Sequence, residues 1–588
     1  MGHDQLLLLA GVGAVGIVAQ WLAWWLRLPS ILVLLGVGAA LGATDVLDPD
    51  ELLGDLLFPV VSLSVALILF EGSLGLGRRE LKEAGRATVL LCTLGAAITF
   101  LILWIVATSV LEVDRGIAAL IGANLIVTGP TVIGPLLQQV RPRGRVGAIL
   151  RAEGIIIDPI GAAAAIVVFE LLIADQLETA LSDTVLTLGT IAVVGAGIAV
   201  LGAGALLVGL GRFLLPDHLR QPAVVAMVLL TFAVSDHFQE ESGLVAVTVL
   251  GLVLANQTYV DIDAVLEFAE SLQVLVLSSL FLLLAARLDF DVVRADLAGN
   301  LLLLVVAVLV ARPLAVAVST IRSGLSWRER LFLACVAPRG IVAAAIASVF
   351  AIRVDQAGIE GADRFAGAVI TVLIGTIVVY GIGARWVGRR LQVAEPDRSG
   401  VLIVGAHQWG TRLAEVLREH GLRALLIDRD RAKVMTARWA GQDTVHGSIL
   451  SPRVRGELEL EGIGHLLALT KSHEVNALAV ERLRSSFGRS NTWQLPADDD
   501  DHVEGRALGW PDAATIEQRI AAGARIRGTR VSEQFTFDDY RERNPGAALL
   551  ALIRSGDLVL PSDGQTLNPA AGDIIVALAS ERPLPTPD

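Results

Sequence analysis

Long apolar stretches follow one another through the first two thirds of the chain and end near residue 390. A helix needs about 20 apolar residues to cross the hydrocarbon core of a bilayer. About thirteen stretches approach that length, at residues 5–26, 30–44, 56–75, 87–110, 116–139, 147–173, 184–211, 222–236, 243–257, 270–288, 299–321, 330–352 and 364–386. They predict a polytopic helical membrane domain at 1–390. The first stretch is too long for a signal-peptide core and lacks a small-residue cleavage site, so we expect it to be retained.

Composition supports this prediction. The chain is 54% hydrophobic and 18% charged, more apolar than a soluble protein of its length. Its net charge of −13 argues against a nucleic-acid partner, because phosphate binding needs a basic surface. Cys92 and Cys335 lie in apolar stretches without metal-ligand spacing, and we expect both to be buried thiols.

Charges in the loops predict the orientation. With thirteen spans, the basic loop residues fall on one side: Arg78, Arg79, Lys82, Arg86, Arg141, Arg143, Arg145, Arg212, Arg220, Arg322, Arg328, Arg330, Arg385, Arg389 and Arg390. The intervening loops are acidic, and one acidic loop at 261–270 breaks the pattern without reversing it. Basic loops face the cytoplasm, so we expect the N-terminus outside and the C-terminal part inside the cell, across the inner membrane.

A different pattern begins after a polar linker at 391–400. Strand-like runs at 401–406, 423–430, 444–450 and 465–470 alternate with helical runs, which predicts a parallel α/β sheet in a domain at 399–510. Residues 511–588 predict a small β-rich module. The acidic run 497–502 is expected to be a solvated loop. A divalent-cation site is the alternative, which the mutual repulsion of adjacent carboxylates disfavours.

Five ionisable residues stand out inside predicted spans, where each costs a few kcal/mol and therefore suggests a function. They are Glu71, Glu153, Asp158, Arg312 and Arg339. Glu153 and Asp158 are five residues apart in the sixth span, which places them on different faces of a helix. We expect one carboxylate to pair with a buried arginine and the other to remain free for a proton or a cation.

Two spans contain Gly and Pro at mid-membrane depth. The fifth contains VTGPTVIGP at 127–135 and the twelfth APRGIVAA at 337–344. Broken helices there free backbone carbonyls as cation ligands. The two segments are seven spans apart, as in an inverted repeat. A proline kink against a neighbouring helix is the simpler alternative for either segment alone.

Taken together, residues 5–390 resemble the monovalent cation:proton antiporters of the Na+/H+ exchanger superfamily, the NhaP-like branch in particular. The resemblance implies crossed broken helices in the fifth and twelfth spans, beside a sixth-span aspartate that binds cation and proton alternately. Glu153 and Asp158 match the two acids of the family's E-S-x-x-N-D pattern, and Arg312 and Arg339 match its two intramembrane arginines. Glu71, in LFEGSLGL, matches its third-helix acid. A homodimer is also implied.

The chain departs from the family pattern at two positions. The family's T-D-P is Thr128-Gly129-Pro130 here, and its Asn-Asp pair is Ile157-Asp158. We therefore expect Asp158, Thr128 and Gly129 to form the ion and proton site, with a supporting network of Glu153, Arg312, Arg339 and Glu71 in which Glu153 and Arg312 form a buried ion pair. A single free carboxylate resembles the electroneutral exchangers. Selectivity among Na+, K+ and Li+ stays open, with K+ alongside Na+ slightly favoured, and transport requires no cofactor.

Residues 399–510 resemble the TrkA-N or RCK regulatory domains, and 511–588 resembles their C-terminal module. The Rossmann loop has Gly405, His407 and Gly410 at its glycine positions, and Asp428 ends the second strand, where an acid binds a ribose hydroxyl. His407 is expected to crowd a pyrophosphate, so an adenine mononucleotide is as good an expectation as NAD(H), and a domain that only dimerises is a further alternative.

The function predicted is antiport of Na+ or K+ against H+, regulated by the C-terminal domain, with no enzymatic activity. Because RCK-like domains also regulate channels, a gated cation channel or potassium-efflux system is the alternative. The run GTIVVYG at 375–381 lacks the glycine spacing of a potassium filter, which disfavours the channel.

Overall fold

The computed structural model describes residues 3–26, 28–140, 144–173, 177–260, 262–287, 296–393, 399–451, 462–496, 506–562 and 567–580, with positions 142, 292, 294, 454, 458 and 460. The chain divides into two compact units, Met1–Ala394 and Glu395–Asp588. The acidic run at 497–502 lies outside the described residues, as do residues 394–398 of the linker at 391–400.

The first unit is entirely helical in its described part. Its α-helices are α1 His3–Leu26, α2 Ser30–Ala43, α3 Pro49–Leu53, α4 Leu57–Leu74, α5 Arg78–Leu90, α6 Ala96–Val110, α7 Arg115–Asn124, α8 Pro130–Val140, α9 Arg145–Ile173, α10 Leu177–Gly211, α11 Asp217–Phe238, α12 Ser242–Asn256, α13 Asp263–Ala286, α14 Leu297–Val306, α15 Arg312–Ser319, α16 Trp327–Ala334, α17 Ile341–Gln356 and α18 Ala362–Arg390. Every predicted span coincides with one helix or with two consecutive helices.

Nine segments of the described chain are continuous helices long and apolar enough to cross a membrane. The second and ninth predicted spans are the shorter apolar helices α2 and α12. The fifth and twelfth spans are each two half-helices, α7 with α8 and α16 with α17, separated by non-helical backbone at 125–129 and 335–340. The structure thus breaks the two spans in which the sequence places Gly and Pro.

The two breaks contact each other through glycine. A Cβ atom added to Gly129 would lie 2.1 Å from Cα of Gly340, and one added to Gly340 would lie 2.3 Å from Cα of Gly129. Side chains at these positions would force the backbones apart, whereas two glycines let them touch. The fifth and twelfth spans therefore meet at their non-helical centres.

The fourth and eleventh spans form a second related pair. Each contains one π-helical turn, Leu91–Gly95 between α5 and α6 and Ala307–Ala311 between α14 and α15. The hydroxyl of Ser319 donates a hydrogen bond to the Leu90 carbonyl (3.1 Å). π-turns are rare and cluster at functional sites. Their recurrence seven spans apart, like that of the breaks, agrees with the predicted inverted repeat.

The second unit contains a parallel sheet and an antiparallel sheet. Its elements are β1 Gly400–Val404, α19 Gln408–Glu419, β2 Ala424–Asp428, α20 Arg431–Trp439, β3 Asp443–His446, β4 Ile463–Ala468, α21 His473–Phe487, β5 Thr492–Gln494, β6 Arg506–Ala507, α22 Ala513–Ala521, β7 Arg525–Arg530, α23 Phe537–Arg543, β8 Ala548–Arg554, β9 Asp557–Val559 and β10 Ile574–Ala579.

Strand order in the first sheet is β3-β2-β1-β4-β5-β6, with every described pairing parallel. This is the Rossmann order, and β1 and β4 flank the point at which it reverses. The second sheet, β7-β10-β8-β9, is antiparallel and forms the predicted β-rich module. The predicted fold class is confirmed in both parts.

Candidate functional site

Asp158 faces the break in the fifth span. Gly154, Asp158 and Gly161 share one face of α9, because residues four and seven positions apart lie above one another. A Cβ atom on Gly154 would lie 3.3 Å from Cα of Pro130, and one on Gly161 would lie 2.1 Å from Cγ2 of Val127. The two glycines thus bring this face of the helix directly against residues 127–130.

The Asp158 carboxylate is fully buried, and neither oxygen has a hydrogen-bond partner within the described part of the chain. An isolated carboxylate is unstable as a bare anion away from water. It is therefore a group that must be neutralised by a proton or a cation.

Other polar side chains at the break share this property. The Thr128 and Thr131 hydroxyls and both polar atoms of the Asn124 amide are buried without a partner among the described residues. Such groups are rare and commonly mark a place for water or an ion. Asn124 and Thr131 are not among the predicted site residues, although polar residues beside a Gly-Pro break in an apolar span were a signal.

Glu153 lies on the same helix as Asp158 and forms an ion pair with Arg312. Both guanidinium Nη atoms bond the carboxylate, Nη1 to Oε1 and Nη2 to Oε2 (2.9 Å for the latter), and the two residues are only 3% and 5% exposed. Arg312 also donates to the carbonyls of Leu333 (3.0 Å) and Val336 (3.2 Å). The pair therefore neutralises both charges and satisfies the C-terminal end of α16.

Arg339 belongs to the break in the twelfth span and bonds the break in the fifth. Its Nη1 donates to the carbonyls of Ile126 (3.2 Å) and Val127 (3.3 Å), and its backbone N–H donates to Thr376 Oγ1 (3.1 Å). Two of the carbonyls freed by the break are thus engaged by a guanidinium. The sequence predicts that freed carbonyls near Thr128 are cation ligands. Those of Ile126 and Val127 accept hydrogen bonds from Arg339.

Glu71 lines a cavity of about 340 Å³ among the helices of the first unit. Its Oε2 accepts a hydrogen bond from Nε2 of Gln273 (2.6 Å). The cavity is lined by residues of α1, α2, α4, α8, α9 and α13, among them Arg151 and Glu270. Glu71 thus bonds Gln273 on α13, while Glu153 and Arg312 bond each other.

The C-terminal unit has a second candidate site at the carboxyl ends of its parallel strands. A cavity of about 270 Å³ is lined by Gly405, His407, Asp428, Lys433 and Lys471, among others. Asp428 accepts hydrogen bonds from the backbone N–H groups of Ala406 and Asp430, both at 2.9 Å. Its carboxylate therefore fixes the glycine-rich loop as well as facing the cavity.

Two crossed broken helices beside a buried aspartate, followed by a Rossmann-type domain, define a helical ion transporter with an attached regulatory domain. The profile of the family described as "Sodium/hydrogen exchanger, transmembrane" matches residues 13–390, and that of the TrkA-N domain matches residues 401–509. The chain belongs to the sodium/hydrogen exchanger family and carries a TrkA-N domain.

Individual relatives agree with this assignment. Na(+)/H(+) antiporter 1 of Methanocaldococcus jannaschii is 25% identical over 382 residues, which cover 62% of this chain and 88% of the relative. K(+)/H(+) antiporter NhaP2 of Shewanella baltica is 26% identical over 408 residues, covering 67% and 69%. The solved sodium proton antiporter MjNhaP1 from M. jannaschii superimposes with a TM-score of 0.58 at 22% identity, over 66% of this chain and 98% of that one, which shows a shared fold.

These findings confirm the predicted class, a cation:proton antiporter with a TrkA-N domain. The channel alternative gains no support from them. Because the family is one of transporters, the chain is a multi-pass membrane protein with a soluble C-terminal domain.

Proposed function

We propose that this chain exchanges Na+ or K+ for H+ at a single site built on Asp158. The observation that carries the proposal is the fully buried Asp158 carboxylate without a partner among the described residues. A proton or a cation neutralises it equally, and only one of them fits at a time. Competition for one carboxylate is sufficient to couple the two ions.

The neighbouring charges favour a one-for-one exchange. Glu153 and Arg312 cancel each other, and Arg339 is held by backbone carbonyls. These charges are fixed, so Asp158 is the one carboxylate at the crossing that is free to change its ligand within the described chain. It carries one positive charge in each direction, which makes transport electroneutral.

The choice of cation depends on the remaining ligands. Thr128 lies in the break with a buried, unpartnered hydroxyl, and Gly129 supplies backbone where the family pattern has a carboxylate. Neutral oxygens bind a cation with a weaker field than a second carboxylate, and field strength is one determinant of K+ over Na+ selectivity. We propose that K+ is carried as well as Na+.

Transport in proteoliposomes tests this proposal. With a proton gradient imposed, addition of Na+ or K+ is expected to dequench a pH-sensitive dye, and a clamped membrane potential is expected to leave the initial rate unchanged. Scanning the alkali ions gives the selectivity. A rate that follows the potential would contradict electroneutral exchange, and cation flux without proton movement would indicate a channel.

We further propose an inner-membrane homodimer with its N-terminus outside and its C-terminal unit in the cytoplasm. The loop charges support the orientation, because Arg78, Arg212, Arg322 and Arg390 all fall on the proposed inner side. The proposed domain bounds are 1–390 for transport, 399–510 for the TrkA-N-like domain and 511–588 for the terminal module.

The C-terminal unit is proposed to bind an adenine nucleotide and thereby regulate transport. Asp428 offers an acceptor for a ribose hydroxyl, and Lys433 offers charge to a phosphate at the same cavity, as does Lys471, which also pairs with Glu517 (2.7 Å). A ligand regulates exchange only if it binds the active and inactive states with different affinity, typically by 1–3 kcal/mol.

Thermal unfolding of the full-length protein with AMP, ATP, NAD+ and NADH tests nucleotide binding. A ligand that binds the folded state at about 100 times its Kd stabilises it by about 2.7 kcal/mol. Lys433→Gln is expected to weaken AMP more than adenosine, because it removes a charge-assisted hydrogen bond worth about 1.5–3 kcal/mol. Asp428→Ala is expected to weaken both ligands.

The matched control is a chain truncated after residue 394, which is expected to exchange ions without responding to nucleotide. Binding of none of the four nucleotides below about millimolar concentration would make the unit a dimerisation module.

A further inference from the structure

His407 occupies the place of the middle glycine in the nucleotide-binding loop. Its Nδ1 accepts a hydrogen bond from the backbone N–H of Gly410 (3.0 Å), and its other ring nitrogen, Nε2, bonds the Leu469 carbonyl (2.7 Å). Because a carbonyl only accepts, Nε2 donates and carries the proton. The ring is therefore a neutral imidazole held at both nitrogens, and it caps α19.

The hydrogen bond to Gly410 uses a group that a dinucleotide needs. In Rossmann domains the pyrophosphate binds the free N–H groups at the N-terminus of the first helix. Here the imidazole takes one of them. A Cβ atom on Gly410 would lie 2.9 Å from Cε1 of His407 and 2.6 Å from the Gly405 carbonyl oxygen, so ring and loop are already in close contact.

The imidazole cannot replace the lost site by attracting phosphate itself. Burial lowers the pKa of His407 below its usual range, which keeps the ring uncharged near neutral pH. Lys433 lowers this pKa further, while the Leu469 carbonyl, Glu517 and Asp428 oppose the shift. The ring also packs on Trp409, with centroids 4.1 Å apart, which holds it in place.

The space that remains open lies toward Asp428. The cavity of about 270 Å³ is near the lower limit of small-molecule sites, roughly 300–1,000 Å³. Lys433, Ser448, Lys471 and Ser472 line it. Lys433 and Lys471 carry positive charge, the latter also paired with Glu517 (2.7 Å), and Ser448 offers a hydroxyl donor to a phosphate beside the ribose acceptor. Size and charge together suit a ligand with one nucleoside and one phosphate.

We infer that His407 determines the specificity of this domain, by closing the pyrophosphate position of the loop and restricting the cavity to a nucleoside monophosphate. The inference rests on the proposed nucleotide-binding function. In this arrangement Lys433 and Lys471 bind the phosphate of the ligand, and His407 occupies the N-terminus of α19. His407 is thus a group that excludes dinucleotides.

Calorimetric titration of the full-length protein with AMP and with NAD+ tests the inference. The wild type is expected to bind AMP at least tenfold more tightly than NAD+. His407→Gly opens the loop, so we expect its affinity for NAD+ to rise at least tenfold while its affinity for AMP changes less than threefold. The matched control is His407→Asn, since asparagine also caps helices well and keeps the Gly410 N–H occupied. We expect this variant to retain weak NAD+ binding.

Each outcome bears on a separate claim. A folded His407→Gly variant without tighter NAD+ binding overturns the role of His407, as does a wild type that binds NAD+ as tightly as AMP. If His407→Gly does not fold, His407→Ala takes its place with the same expectation. A wild type that binds neither AMP nor NAD+ contradicts the proposed nucleotide site. In that case the role of His407 in excluding dinucleotides is supported only if His407→Gly gains NAD+ binding.

Discussion

Asp158→Asn is expected to reduce cation-dependent proton movement in proteoliposomes to the level of liposomes without protein. Asparagine has the shape of aspartate but neither binds a proton in this pH range nor offers a charge to a cation. If one carboxylate carries both ions, no partial activity for either ion remains. The loss should be equal for Na+ and K+ and should persist at every pH tested.

The same substitution is expected to leave stability unchanged or increased. The wild-type carboxylate is buried without a partner in the described structure, and it is unfavourable whenever it is ionised without a bound cation. A neutral amide removes that cost, so the melting temperature should not fall. Loss of transport with an intact melting temperature separates this result from misfolding.

Asp217→Asn provides the matched control. It makes the same chemical change at the start of α11, where the side chain of Asp217 is 90% exposed in a surface pair with Arg220. Exposed pairs of this kind contribute about 0–1 kcal/mol, and we expect wild-type exchange. Transport by Asp158→Asn above the background of empty liposomes would refute the single-site mechanism.

The sequence was most informative where the membrane imposes strict requirements. In lipid the backbone must satisfy its own hydrogen bonds, so a membrane span is a long apolar helix. The hydropathy of the sequence was therefore enough to predict the spans. Glycine and proline at 127–135 and 337–344 located the two breaks, because the backbone cannot remain helical through them without cost. Asp158 and Glu153 stood out because charges are rare in such segments.

Partner choice inside the membrane unit was less predictable. Glu153 pairs with Arg312, as expected. Arg312 also donates hydrogen bonds to two carbonyls of the twelfth span, and Arg339 donates to two carbonyls of the fifth. These contacts depend on how the two breaks cross, which no local pattern records. Glu71, which the resemblance places in the supporting network, accepts a hydrogen bond from Gln273, 202 residues away.

In the C-terminal unit, too, the secondary structure was predictable from local patterns, whereas the long-range contacts were not. Alternating strand and helix patterns predicted the parallel sheet, since the central strands β1, β2 and β4 are apolar and buried. The sequence indicated that His407 would crowd the loop. That its ring is tied to Leu469, on the segment after β4, could not be predicted, because the two residues are 62 positions apart and meet only in the folded sheet.

Removal of either partner of the Glu153–Arg312 pair is expected to lower the stability of the membrane unit by about 3–5 kcal/mol. The cost arises because the remaining charge is buried without compensation, whereas the intact pair contributes little by itself. Arg312→Ala also leaves the carbonyls of Leu333 and Val336 without their donor. Thermal unfolding in detergent is therefore expected to show a clear fall for both Glu153→Ala and Arg312→Ala.

The double variant Glu153→Ala/Arg312→Ala separates the pair from its individual contacts. If the two charges compensate each other, the double variant loses less stability than the sum of the single variants, because no lone charge remains. The charge-swapped variant Glu153→Arg/Arg312→Glu should recover only part of the loss, since a glutamate cannot donate to the two carbonyls at the end of α16. Single variants as stable as the wild type, with no recovery in either double variant, would show that the charges do not stabilise each other. In that case the surroundings of Asp158 would not be neutral. Its single charge would then no longer imply a one-for-one exchange.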